Sequence, residues 1–180
     1  ENFSLGVAAH SLRAVKNETL NKIIDLTDGP IHIHAAEQVK EVEELKSFYK
    51  MPPVEFLIRN FDINKRWCLV HCTQMSELET ELLSKSGAVA GICPVTEANL
   101  GDGIFNGFQY NEQKGLYGIG TDSNINISLT EELKTFEYSQ RLLNKKRAVI
   151  SNQKKSTGRK LFDDCLEGGA RALQISNGKT

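Results

Sequence analysis

The sequence predicts an α/β fold organised around a parallel sheet. Five short runs rich in β-branched, aromatic or small residues are separated by helix-like stretches, and turn-forming Gly and Pro punctuate the loops. The first run is Phe3 to Ala9 (FSLGVAA), followed by a helical stretch from Glu18 to Leu26 and the turn Gly29-Pro30. The second, Ile31 to Ala36, begins Ile-His-Ile-His, and its period of two sends both isoleucines to one face and both histidines to the other. In the stretch from Glu37 to Tyr49, the apolar residues Val39, Val42, Leu45, Phe48 and Tyr49 form one stripe of an amphipathic helix. Pro52-Pro53 marks a loop before the third run, Trp67 to Cys72, and a helix from Ser76 to Ser84. The fourth and fifth runs are Ala88 to Pro94 and Leu116 to Asp122. A long helix from Ser128 to Lys146, a polar loop from Ser151 to Thr157 and a last helix from Lys160 to Leu173 complete the pattern.

Composition narrows the function classes. The 180 residues carry 22 Lys and Arg against 23 Asp and Glu, so neither a nucleic acid nor an anionic membrane is called for as a partner. Neither a signal peptide nor a membrane span is legible. Cys68, Cys72, Cys93 and Cys165 lack the spacing of a zinc knuckle and the density of a secreted disulfide scaffold, and read as reduced thiols of a cytoplasmic protein.

The polar residues gather at one end of the runs. His34 and His71 lie near the carboxyl ends of the second and third, Asp122 ends the fifth, and His10 and Arg13 follow the first. Ligands of parallel α/β folds bind at the carboxyl ends of strands. A single histidine there is more often a hydrogen-bonded residue than a ligand. All four histidines of the chain, however, fall on or just past such ends. Asp122, within Gly-Thr-Asp-Ser-Asn, reads equally well as a turn or capping residue. Together His34, His71 and Asp122 offer the nitrogen and carboxylate donors that zinc accepts. Glu37, three residues after His34, suits proton transfer beside a metal-activated water.

Several stretches resemble the amidohydrolase superfamily: AHSLRAV (9–15), HIHAAEQ (32–38), RWCLVH (66–71), SGAVAGICPVTEANLGDGIF (86–105), GIGTDS (118–123) and EELKTFEYSQRL (131–142). The resemblance implies a (β/α)8 TIM-type barrel and hydrolytic deamination of an amidine carried by an acidic amino-acid derivative. It also implies one zinc ion in the complete enzyme, weakly held or absent in this stretch alone. Residue by residue, it makes His34 and Asp122 metal ligands, has His71 polarise the attacking water, and lets Glu37 and Asp122 move protons. Arg13 takes the role of holding the substrate carboxylate, with His10 near the amidine. His32 receives no role and is expected to be structural. Gln74 stands where many members are expected to have a second histidine.

Spacing shows which part of a barrel this is. His34 and His71 are 37 residues apart, about one βα unit, so His32 and His34 cannot be the first-strand His-x-His of the superfamily. The five runs are read as strands four to eight of a partial barrel, residues 1–180 forming one domain without strands one to three or the small β domain. Two open sheet edges, along Phe3 to Ala9 and Leu116 to Asp122, then favour a homo-oligomer. The alternatives are a deaminase of guanine or an adenosine derivative, separable by replacing Arg13, and an inactive truncated module, separable by metal analysis.

Overall fold

In a computed structural model, residues 5–152 and 154–175 are described; Phe3 and Ser4, at the start of the first expected strand, lie outside this range. Five parallel strands stand in chain order: β1 (Val7–Ser11), β2 (Ile31–Ala35), β3 (Trp67–His71), β4 (Val89–Ile92) and β5 (Leu116–Ile119). Between and after them run α1 (Asn17–Ile24), α2 (Val39–Tyr49), α3 (Pro53–Asn60), α4 (Glu77–Ser86), α5 (Pro94–Leu100), α6 (Gly107–Glu112), α7 (Leu129–Asn144) and α8 (Thr157–Ala172). The order and parallel pairing bear out the α/β reading. Among the described residues no helix is long and apolar enough to cross a membrane.

The differences from the sequence reading are local and have physical causes. β1 starts later and ends later than Phe3 to Ala9, because pairing with β2 begins at Val7↔Ile31 and carries on to Ser11↔His34. His10 therefore lies on the strand rather than past it. Pro94 does not end β4 but opens α5, and Pro53 opens α3, where only a loop was read. At the first helical position proline gives up an amide that the helix cannot use and brings a φ already suited to it. Helix α6 falls where the sequence suggested no element.

The two faces of the sheet are packed differently. Ile31, Ile33, Trp67, Leu69, Ala90, Ile92 and Tyr117 face the helices and build the main core with Leu57, Leu83 and Phe136. On the opposite face, in register, stand His32 and His34, Cys68 and Val70, Val89 and Gly91, then Leu116 and Gly118. There Cys68 and Val89 pack against Ala172 of α8, with Val70 and Leu116 alongside. His32 reaches the same helix end, its Nε2 donating to the Ala172 carbonyl at 2.8 Å. A structural role for His32 is what this contact gives.

Helix α8 sits on β5 almost backbone to backbone. A Cβ on Gly168 would lie 1.9 Å from the Tyr117 carbonyl oxygen, and one on Gly118 would lie 3.3 Å from Gly169 Cα. As expected, neither β1 nor β5 has a strand partner on its outer side among the described residues, although β5 has α8 packed against it. A Cβ on Gly169 meets nothing within 4 Å. We therefore expect Gly168→Ala to destabilise by about 1–3 kcal/mol through overpacking. Gly169→Ala, one residue away, should gain up to about 1 kcal/mol of helix propensity. Urea denaturation of the two variants checks the opposite signs.

Candidate active site

The histidines converge at the carboxyl ends of β1, β2 and β3. The rings of His10 and His34 have centroids 5.2 Å apart, and those of His34 and His71 stack at 5.5 Å. Backbone geometry aims them. The β1–β2 register shifts between Ala9 and Ser11, passing over His10, whose carbonyl is left to accept the Nδ1–H of His34 at 2.7 Å. A carbonyl can only accept, so Nδ1 carries the proton and Nε2 of neutral His34 is the bare nitrogen. This is the arrangement of a metal-ligating histidine, whose second nitrogen is fixed by an outer partner.

His71 ends β3 with φ 70°, and Cys72 follows at 56°, two consecutive left-handed residues of which neither is glycine. Such conformations cost on the order of 1–2 kcal/mol each and cluster at functional sites. They are held by pairing that continues past the strand ends, Cys72 N–H to the Ala35 carbonyl and Gln74 N–H to that of Ala36. The side chain of Gln74, where a histidine was expected, donates to the Asp102 carbonyl and ties this turn to the 101–103 loop.

His71 is only 2% exposed and lies between two carboxylates, Nε2 3.7 Å from Glu37 Oε1 and Nδ1 3.5 Å from Glu97 Oε1. Burial pulls its pKa down, but Glu97, Glu37 and Asp122 outweigh this and leave it above the usual histidine value. Burial raises Glu37, with Asp102 and Glu41 adding and His71 and His34 opposing, so the carboxyl holds a proton more readily than an exposed glutamate. That is the property a proton carrier needs near neutral pH.

Glu37 precedes α2 rather than beginning it, in a loop where Ala36 is also left-handed at φ 54°. Buried Glu41, in the first turn of α2, accepts from Ala36 N–H at 3.0 Å and Glu37 N–H at 2.8 Å. Asp122 lies just past β5 at φ 52°, exposed, with its charge felt at His71 and Cys93.

Arg13 is not brought to the histidines. Its Nε pairs with Glu44 Oε2 of α2 at 3.2 Å, both side chains about half exposed. The contact takes Nε, and the two terminal nitrogens of the guanidinium are the remaining pair a carboxylate could grip.

The residues that the sequence reading missed are Glu41, Glu97 and Cys93. The potential ligand atoms of His71, Cys93 and Glu97 lie within 4.8 Å of one another, and all three residues are buried. Burial pushes the Cys93 thiol far above its ordinary range, and Glu97 Oε1 already accepts from the Cys93 amide at 2.9 Å. The trio therefore reads as a support under His71 rather than as ligands. One signal was available: both glutamates sit in the first turn of a helix and accept from the amide four residues earlier, just past a strand.

The chain matches the pattern of the Amidohydrolase family over residues 1–178. It is 44% identical over 173 residues to formimidoylglutamate deiminase of Pseudomonas aeruginosa, covering 94% of this chain and 38% of that protein. The 5-methylthioadenosine/S-adenosylhomocysteine deaminase of Shouchella clausii is 29% identical over 152 residues, 82% of this chain and 34% of that protein. Among solved structures, an amidohydrolase from Brucella melitensis superposes with TM-score 0.91 at 50% identity, over 93% of this chain and 38% of that one. An adenosine deaminase from Xanthomonas campestris with bound zinc shares the fold, with TM-score 0.84 at 24% identity over 94% of this chain and 39% of that one. The chain thus spans about 38% of the length of the Pseudomonas aeruginosa protein and of the Brucella melitensis structure.

If Glu41 holds the Glu37 loop, Glu41→Ala should lose about 1–3 kcal/mol by leaving buried amides without an acceptor. Hydrogen exchange should quicken at Ala36 and Glu37 before it does in β2, which amide-resolved exchange can read directly.

Proposed function

Because the chain belongs to the amidohydrolase family, we propose that it supplies strands four to eight of a larger barrel that hydrolytically deaminates N-formimino-L-glutamate to N-formyl-L-glutamate and ammonia. In this reading the first three strands and a small β domain belong to the complete enzyme. The observation that carries the proposal is the paired presentation at the rim: His34 has its Nδ1 committed to the His10 carbonyl, and His71 turns Nε2 toward Glu37. The likeness to a formimidoylglutamate deiminase supports this choice of substrate.

His34 and Asp122 offer an imidazole nitrogen and a carboxylate of the kind zinc accepts, and would hold one such ion together with ligands from the strands outside this chain. When bound, zinc polarises the amidine and acidifies water to a pKa of about 7. The chain's own residues do the rest. Asp122 takes the proton released as water attacks. Glu37, its carboxyl raised by burial, returns a proton to the departing nitrogen so that ammonia leaves. Nε2 of His71 accepts a hydrogen bond from the attacking water and so polarises it. Arg13 grips the α-carboxylate through the terminal nitrogens of its fork, and His10 lies beside His34 at the amidine end. A neutral purine offers Arg13 no such partner, which favours the acidic substrate over the adenosine derivatives suggested by the second relative.

The four free, buried thiols support a reducing, cytoplasmic setting. The outer side of β1 supports self-association of the chain when it stands alone. Sedimentation at several concentrations should show a mass that rises with concentration; a strictly monomeric species would count against it.

Two substitutions in the complete enzyme test the proposal. His34→Ala should lose zinc and activity together, and full activity with stoichiometric zinc would overturn the assignment. Arg13→Met should cost on the order of 2–5 kcal/mol of substrate binding, the scale for breaking a desolvated charge pair. An analogue without the carboxylate should be little affected; equal losses on both would remove the clamp.

A further inference from the structure

Beneath His71 lies a carboxylate that the proposed reaction does not use. Glu97 is 3% exposed. It is fixed from two directions: by its place in the first turn of α5, and by the Cys93 amide, which donates to its Oε1 at 2.9 Å. The same oxygen faces Nδ1 of His71 at 3.5 Å, long for a hydrogen bond, and Nδ1 has no other partner among the described residues. A buried ring nitrogen without a partner is costly, so a proton on Nδ1 directed at Glu97 is the favourable arrangement. A carboxylate is acceptor-only, and a bare Nδ1 would set lone pair against lone pair. The α5 end of this contact is itself braced, since Glu132 Oε2 accepts from Val95 N–H at 2.8 Å.

We propose that Glu97 is a positioning residue for His71: it keeps the ring proton on Nδ1 and orients the ring so that Nε2 faces Glu37 and the reacting centre. The inference deepens the proposed function and rests on His71 belonging to its site. It makes His34 and His71 equivalent in design. Each has Nδ1 occupied by a fixed oxygen, the His10 carbonyl in one case and the Glu97 carboxylate in the other, and each presents Nε2.

The test is a long-range proton–nitrogen correlation spectrum of the nitrogen-15-labelled chain, with the His71 signals assigned by their loss in His71→Gln. In the unsubstituted chain Nδ1 should appear protonated. Glu97→Leu should move the proton toward Nε2, the usual site in a free neutral imidazole, while Glu97→Gln, whose side-chain oxygen can still accept, should keep it on Nδ1. A bare Nδ1 in the unsubstituted chain overturns the proposal, as does an unchanged His71 pattern in a folded Glu97→Leu. If Glu97→Leu does not fold, the unsubstituted spectrum and Glu97→Gln decide: a proton on Nε2 alone in either one overturns the proposal. In the complete enzyme Glu97→Leu should lower turnover on the order of 10–100-fold, the range for outer-sphere partners, and Glu97→Gln by less. The spectra need neither substrate nor metal, so a complete enzyme without deaminase activity would overturn the proposed function and leave the proton assignment of His71 standing.

Discussion

Carboxylates buried under the turns at the strand ends are what the candidate site depends on. Glu41 takes the amides of Ala36 and Glu37, Glu97 that of Cys93, and Glu132 that of Val95. Elsewhere Glu79 joins Val54 and Ser76, and Glu137 joins Val149 and Ile150. Removing a charge from water is expensive, and the amides that donate to these carboxylates offset part of that cost. In return, these carboxylates accept from amides in loops and in the first turns of helices, where no helix or sheet acceptor is at hand. The left-handed turns at Ala36, His71 and Cys72 persist because the surrounding bonds determine them from several sides.

This accounts for a contrast within the site. His34 and His71 stand on paired strand ends, His34 with its Nδ1 bonded to a main-chain oxygen, and their rings stack. Asp122 and Arg13 are exposed, and Arg13 rests on a surface glutamate. The two histidines thus sit on the rigid framework, while Arg13 stands at the solvent edge, where its pair with Glu44 is worth no more than about 1 kcal/mol and exchanges readily.

Much of the framework was legible in the sequence, and for identifiable reasons. The alternation in Ile31-His32-Ile33-His34 assigned faces correctly because one face of β2 is wholly apolar, and the Val39 to Tyr49 stripe marked α2 because long amphipathic periods are hard to mistake. The short helices α3, α5 and α6 were not legible: they are eight residues or fewer, and two of them open on prolines that read as breakers. Element ends were misjudged where a turn, rather than a change in hydrophobic pattern, stops the strand. Residue types pointed to His34, His71 and Glu37, but pattern alone does not reveal partners. It could not show that Glu97 lies under His71, since that contact joins residues 71 and 97 through the pairing of β3 with β4. Nor could it show that Arg13 would meet Glu44, a contact made by the packing of α2 beside the end of β1.

The skipped residue in the β1–β2 ladder bears on substitution as well as on geometry. Because His34 is oriented by a main-chain oxygen, no side chain at position 10 is needed to set its proton. A substitution there can alter what the ring of His10 touches without disturbing His34, whereas inserting or deleting one residue anywhere in Val7 to Ser11 displaces the oxygen itself. The oxygen that sets the His34 proton is therefore guarded by the length of this segment rather than by the identity of the side chain at position 10.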